Sequence, residues 1–348
     1  MNDFIYPSGV GPAGNPDSKL SRCLLPISWV YGLAASLKRS WSSSRARRLS
    51  RPVLSIGNIT CGGTGKTPTV EMVARDLLGM GLRPAILSRG YRADPTDEAK
   101  TNDEFRILGA NLPEVPHYQG KDRYARGLEA IERGADVLVL DDGFQHTRLH
   151  RDVELVLIDA ILPFGHGRVL PSGLLREPLE ALSGADLFGI TRSDLVSPVA
   201  LSTLRGYLRR RFPGIPQVLL GAEAVAWVGL TGTSDPPEAL RGKRVLAFCG
   251  VGNPESFRRQ LLGLGVTLAG VICYGDHHRY TDKDLERMEA EAARLDADFV
   301  VMTQKDAVKI APSDGRARWR SLRIRQRILG GREDYERALE GLRQGLKA

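Results

Sequence analysis

The stretch Ser55-Ile-Gly-Asn-Ile-Thr-Cys-Gly-Gly-Thr-Gly-Lys-Thr-Pro68 sets the reading of this chain. An apolar run, Pro52 to Ile56, leads into it, and a helical pattern, roughly Thr67 to Leu78, leaves it. The turn Gly62-Gly63-Thr64-Gly65 can bend until several backbone N–H groups point at one anion. Lys66 adds a point charge, and Thr67 a hydroxyl suited to Mg²⁺. The following helix directs its positive end to the same place and tolerates Pro68 in its first turn. The full phosphate-loop pattern has glycine six residues before the lysine; here Thr60 stands there. Gly-Lys-Thr is intact, so the stretch reads as a variant P-loop.

Upstream of the loop the chain is basic. Residues 1 to 52 carry eight cations against Asp3 and Asp17, which accounts for most of the +8 net charge of the 348 residues. Residues 1 to 18, rich in Gly, Pro, Asn and Ser, read as a loose leader. Ile27, Val30, Ala34, Leu37 and Trp41 then recur at spacings of three and four, one stripe of a helix. Trp29, Tyr31 and Trp41 favour an interface, and Lys38, Arg39 and Arg45 to Arg48 supply cations. The run is shorter than the roughly 20 apolar residues needed to span a bilayer. It suits a helix in the membrane surface facing anionic lipid, rather than a nucleic-acid site. A core helix would show the same stripe. A signal peptide fits poorly, because the adjoining phosphate loop needs cytosolic nucleotide.

Downstream, strands alternate with helices. Pro84 to Leu87 ends in Ser88-Arg-Gly-Tyr91, and the polar stretch Ala93 to Glu104 reads as loop before a helix. A helix from Arg123 to Arg133 precedes the strand Asp136 to Leu140 and Asp141-Asp-Gly-Phe-Gln-His146. An apolar strand ending in carboxylates, downstream of a P-loop, is the Walker B arrangement, which holds Mg²⁺ directly or through water. Strands follow at Leu155 to Ile158 and Asp186 to Thr191. Between them lies a Pro- and Gly-shaped loop, Gly167 to Pro178, holding Arg168, Arg176 and Glu177. This alternation predicts a P-loop NTPase-like, doubly wound, mostly parallel α/β sheet with ligand at the strands' carboxyl ends.

Residues 216–240 read as a hinge, which divides the chain into a leader and surface helix (1–50), a P-loop domain (51–215) and a smaller α/β domain (241–348). The smaller domain shows strands at Arg244 to Phe248, Val271 to Tyr274 and Phe299 to Met302, each ending in a polar motif. Gly250-Val-Gly252 lacks the third glycine of a dinucleotide site. Thr281 and Asp284 form a capping box. Thr303 and Asp306 fit either an adenine contact or a helix cap. Cys23, Cys61, Cys249 and Cys273 form no CxxC pair, which argues against a zinc site or a disulfide scaffold.

Taken together, the motifs Gly57-Asn58, Gly62 to Pro68, Ser88 to Tyr91, Asp141 to His146, Leu170 to Pro178, Phe248 to Pro254, Asp276-His-His278 and Lys305 to Lys309 occur in an order that resembles the tetraacyldisaccharide 4′-kinase family of lipid A biosynthesis. The match runs from about Trp29 to Lys309. The resemblance implies transfer of the ATP γ-phosphate to the 4′-hydroxyl of a tetraacyldisaccharide 1-phosphate. It places the enzyme peripherally on the cytoplasmic face of a Gram-negative inner membrane, with ATP and Mg²⁺ as cofactors and its N-terminal helix on anionic lipid. By matched position, Lys66 holds the β- and γ-phosphates, and Thr67, Asp141, Asp142 and Glu177 stand at the metal. Arg176 neutralises phosphate charge, Arg123 lies on the substrate side, Asp103 is the base and His277 its partner. The family's Gly-Asp-Glu-Pro is Asn102-Asp-Glu-Phe105 here, so Asp103 as helix N-cap competes with Asp103 as base. The sequence leaves His277 against His278, and Asp141 against Asp142, open. A partitioning or metal-insertion P-loop ATPase is the rival class, but Cys61 sits where that class carries a second lysine.

Overall fold

The computed structural model describes residues 19–90, 101–276, 278–312 and 314–346. The expected leader, most of the expected loop at 93–104, and His277 lie outside the described residues. In chain order the elements begin with α1 (Lys19–Cys23), α2 (Leu25–Ser43), β1 (Val53–Asn58), α3 (Lys66–Gly79), β2 (Pro84–Ser88) and α4 (Asp103–Asn111). They continue with β3 (His117–Gln119), α5 (Arg123–Glu132), β4 (Val137–Asp141), β5 (Val153–Asp159), β6 (Leu187–Thr191), α6 (Pro198–Arg211), β7 (Gln217–Gly229) and β8 (Ser234–Asp235). The last are β9 (Arg244–Cys249), α7 (Pro254–Gly263), β10 (Thr267–Cys273), α8 (Asp282–Arg294), β11 (Phe299–Thr303), α9 (Gln304–Ala307), β12 (Trp319–Gly330) and α10 (Arg332–Gly345).

Two compact units result, and neither is contiguous in sequence. Of the described residues, unit 1 takes those within 19–89, 114–221 and 328–346, and unit 2 takes 90 and those within 101–113 and 222–327. The expected division at 216–240 contains the first passage between them, and a second passage lies nearer the end of the chain. The first part of that stretch is β7, a 13-residue strand along which the chain passes between units at Gly221 and Ala222. The return passage is equally continuous, within β12 at Arg327 and Ile328.

In unit 1 the strand order is β7-β6-β5-β1-β4-β2-β3. The pairs from β7 to β3 are all parallel. Every residue of β1, β4 and β5 is buried, as strands covered on both faces must be. One face packs Phe144, Val156, Phe188 and Ile190 against Leu204, Leu208 and Phe212 of α6 and its cap. The other packs Val53, Ala85, Leu138 and Leu140 against Leu49 and Ala130. Burying each such side chain contributes about 1.5–3 kcal/mol. Tyr335 of α10 donates to Asp76 of α3 at 2.6 Å, which ties the last helix to the one behind the phosphate loop.

Unit 2 repeats the logic with strand order β10-β9-β11-β12-β7 and β8 antiparallel on β7. Alternate residues of β9 serve opposite cores. Val245 and Ala247 meet Trp227, Phe257 and Leu261, whereas Leu246 and Phe248 meet Met288, Val300 and Trp319. The expected capping box is formed: Asp284 N donates to Thr281 Oγ1, and Thr281 N donates back to the Asp284 carboxylate.

Helix α2 reverses the usual amphipathic arrangement. Its buried residues are Ser28, Gly32 and Ser42. Trp29 is 81% exposed, Val30 71%, Leu33 64% and Leu37 62%; Ile27 and Trp41 are more than half exposed. The apolar stripe therefore does not belong to a core, and the core-helix alternative fails. The cation cluster also divides. Lys38 and Arg45 face outward, but Arg39 points inward, Arg47 lies 3.4 Å from the Tyr124 ring centroid, and Arg48 pairs with Asp152 at 2.6 Å. Among the described residues no helix is long and apolar enough to cross a membrane.

Candidate active site

In unit 1 the site forms where β1 ends, between β4 and β5, which is where a doubly wound sheet leaves room for a ligand. Gly65 caps α3 with φ +83°, a left-handed conformation that favours glycine. A Cβ on Gly62 or Gly63 would meet nothing within 4 Å, so these two glycines border open space. Gly57 is required for the opposite reason: a Cβ there would lie 2.5 Å from Phe144 Cβ. Its small size lets the Asp-Gly-Phe turn close over β1.

Asn58, fully buried next door, ties the site together. Lys66 Nζ donates to Asn58 Oδ1 at 3.1 Å, Asn58 Nδ2 donates to Thr60 O at 2.7 Å, and Gln145 Nε2 donates to Asn58 O at 2.9 Å. The motif marked Asn58, but its junction role was not legible, because its partners come from three segments.

The loop holding Arg176 reaches the same place by pairing with the start of the phosphate turn. Cys61 N donates to Leu174 O at 2.7 Å and Arg176 N to Ile59 O at 2.8 Å. The Arg176 guanidinium then clamps Asp142 with two bonds, 2.8 and 3.2 Å, while Lys66 Nζ stands 3.6 Å from Asp142 Oδ1. Burial opposes ionisation of Asp142, but Lys66 and Arg176 outweigh it and hold the carboxyl well below the usual range. Asp141 ends β4, 6% exposed, in register with Ile56. Glu177 is also buried; burial raises its pKa, and Arg39, bonded at 2.7 Å, works against that rise. Arg123 opens α5 behind the Asp122 cap and is 6% exposed. Burial and Arg89 lower its pKa, whereas Asp142 and Asp141 hold it up, so it belongs to the same electrostatic cluster.

A strap that sequence reasoning missed holds the turn from outside. Thr191 Oγ1 donates to Thr64 O at 3.0 Å, and Arg192 Nη2 donates to Gly63 O at 2.7 Å. Arg192 is also paired with Asp159 at the end of β5. Thr191-Arg-Ser-Asp194 ends a strand in the sequence, but its contact with the turn depends on strand order.

The donor set fits Mg²⁺. Among the described residues no three His, Cys, Asp or Glu side chains form a cage for a metal ion. Mg²⁺ commonly takes one or two carboxylates plus phosphate oxygens rather than an all-protein cage. Carboxylates at a strand end beside an open glycine turn meet that need.

Asp103 lies in unit 2. The cap of α4 is Asn102, whose Oδ1 accepts from Phe105 N at 2.9 Å. That corrects the N-cap alternative, since Asn102 and not Asp103 takes the cap. Lys309 Nζ stands 3.5 Å from Asp103 Oδ2 and 3.7 Å from Asp306 Oδ1. Asp306, with no exposure, accepts from Tyr280 at 2.8 Å, Gly250 N at 3.0 Å and Thr303 at 2.6 Å. Thr303 is the N-cap of α9, so of the two roles open for this pair the structure takes the cap. His278 is stacked on Tyr274 at 4.4 Å with Nε2 3.3 Å from Asp284.

The family model for tetraacyldisaccharide-1-P 4′-kinase matches residues 20–343. A tetraacyldisaccharide 4′-kinase of Geobacter metallireducens is 40% identical over 307 residues, covering 83% of this chain and 88% of that protein. One from Halothermothrix orenii is 32% identical over 333 residues, covering 87% and 86%. The crystal structure of LpxK from Aquifex aeolicus in complex with ATP superposes with a TM-score of 0.73 at 27% identity, over 93% of this chain and 99% of that one. With a phosphate turn, a strand-end acid pair and relatives that extend over most of its length, this chain belongs to the tetraacyldisaccharide-1-P 4′-kinase family.

Proposed function

We propose that this chain transfers the γ-phosphate of ATP to the 4′-hydroxyl of a tetraacyldisaccharide 1-phosphate, at the cytoplasmic face of a bacterial inner membrane. The observation that carries the reading is the convergence of Lys66, Asn58, Arg176 and Asp142 at the mouth of the glycine turn. Phosphoryl transfer needs little covalent chemistry from the protein; it needs positioning and charge. Backbone N–H groups of Gly62 to Thr67 cradle the phosphates, and Lys66 meets the β- and γ-oxygens. Arg176, now occupied by Asp142, offsets charge as the bond to the leaving ADP oxygen breaks. Thr67, Asp141, Asp142 and Glu177 are the residues that would hold Mg²⁺. When bound, the ion neutralises phosphate oxygens and orients them. Asp103 takes the proton of the 4′-hydroxyl as that oxygen bonds to phosphorus. His277 joins it as relay by position in the motif, and Arg123 steers the acceptor.

The outward stripe of α2 supports a membrane seat, since Trp29 and Trp41 beside Lys38 and Arg45 suit an interface with anionic lipid. The bare ATPase-switch reading leaves that stripe and the Leu-Arg-Glu-Pro loop without a task.

The deciding assay combines purified protein, ATP, Mg²⁺ and tetraacyldisaccharide 1-phosphate in detergent. Phosphorylated lipid is expected; ATP hydrolysis without lipid phosphorylation would overturn the reading. Replacing Trp29, Leu33, Leu37 and Trp41 by serine should release the protein from anionic vesicles while detergent activity persists. Sedimentation with vesicles after that change would place the anchor elsewhere.

A further inference from the structure

Among the cations of α2, Arg39 behaves unlike its neighbours. Its side chain is 17% exposed and points at the catalytic loops. Nη1 donates to Glu177 Oε2 at 2.7 Å and to Phe144 O at 3.1 Å, and the guanidinium covers the Phe144 ring at 4.3 Å. The helix is shaped to bring it there. A Cβ on Gly32 would lie 3.3 Å from Val169 and 3.6 Å from Pro178, and one on Gly184 would lie 3.0 Å from Arg39 Nη2. Tyr31 donates to Arg176 O at 3.2 Å, and Ser42 bonds Thr147. On the side of α2 that faces the protein, Gly32, Tyr31 and Arg39 meet the loop of Arg176 and Glu177, and Ser42 meets Thr147. A buried carboxylate that loses its hydrogen-bonded cation loses the contact that fixes its orientation.

We propose that Arg39 is a positioning residue for phosphoryl transfer. It holds the Glu177 carboxylate and the Phe144 carbonyl in place, so the helix with the outward apolar stripe is also part of the phosphate site's frame. This inference rests on the kinase reading above. It adds that seating the helix and organising the metal side of the site are one event.

The test compares full-length Arg39→Met, which keeps length and loses charge, with Arg39→Lys, which keeps charge. A fluorescent ATP analogue is titrated with and without Mg²⁺, and kcat is measured at saturating ATP and lipid. For Arg39→Met, kcat should fall about tenfold or more, within the range that small misplacements produce. The Mg²⁺-dependent gain in analogue affinity should shrink, while metal-free affinity and vesicle sedimentation stay within about twofold. Arg39→Lys should recover a good part of both losses. A Met variant with near-normal kcat and an intact Mg²⁺ gain overturns the proposal, and so does a Lys variant no better than Met. If Arg39→Met does not fold, Arg39→Gln takes its place with the same expected losses, the same rescue by Arg39→Lys and the same overturning outcomes. If the wild type fails to phosphorylate lipid, the kinase reading falls, and the Mg²⁺ gain of the two variants still judges Arg39.

Discussion

In unit 1 the phosphate site is framed by main chain: a left-handed Gly65, two open glycines, and carbonyls held by Thr191 and Arg192. Its charged side chains, Lys66, Arg176 and Asp142, are engaged with one another. In unit 2 the order is inverted. There the frame itself is a side chain, Asp306, gripped by a hydroxyl, a phenol and an amide, and Asp103 leans on it through Lys309. A site that must admit a polyphosphate keeps its frame in backbone, because side-chain charges have to change partners when the ligand arrives. The Asp103 carboxylate, by contrast, stands beside Lys309 within a cluster whose buried polar groups are already paired with one another.

The comparison can be broken in steps of decreasing effect. Lys66→Ala should lower kcat/KM by about 10³-fold or more, the scale on which phosphate-charge ligands act in such enzymes. A loss below tenfold would mean that backbone alone handles the phosphates. Asp103→Ala should lower kcat by about 10²-fold or more with analogue affinity unchanged, as expected for a general base. A rate near wild type removes Asp103 from the chemistry. Asp306→Ala should cost stability, about 2–3 kcal/mol by denaturant titration, because Gly250 N, Tyr280 and Thr303 lose their acceptor. No change would show that the cluster is not a frame.

The smallest effect concerns pH. His117, whose Nε2 lies 2.8 Å from Ser88 Oγ, is pushed by burial down to about 4, and burial followed by Arg123 pushes His146 to about 4. The folded chain then binds fewer protons than the unfolded one between about pH 6.5 and 4. Stability should be full above that window and fall through it on acidification, by about 2 kcal/mol for His117 after allowing for partial exposure. His117→Gln should flatten that slope; an unchanged slope assigns it to other groups.

How much of this was legible in the sequence follows the range of each signal. The glycine turn, the strand-end acids and the Thr281–Asp284 box are local, and they stand where the sequence puts them. The apolar stripe of α2 was legible as a stripe, but spacing cannot say which side faces out. That depended on Ser28, Gly32 and Arg39 finding partners far along the chain. The alternation Arg323, Arg325, Arg327 was a strand signal in β12 that composition disguised, and α10 after it was not anticipated. The passage between units at Gly221 and Ala222 falls inside the expected 216–240 stretch, but the return at Arg327 and Ile328 was not legible, because a strand that continues from one unit into the other has no loop chemistry to mark it.

That shared strand has a consequence for biogenesis. The two passages within β7 and β12 mean that unit 1 receives its last strand segment and α10 only after unit 2 has been made. Tyr335 cannot reach Asp76, and α3 cannot be backed by its final partner, until then. A ribosome-bound chain carries the glycine turn long before it carries the helix that braces it. Whatever rigidity Tyr335 lends to α3 through Asp76 is thus available only after the residues of unit 2 have been synthesised.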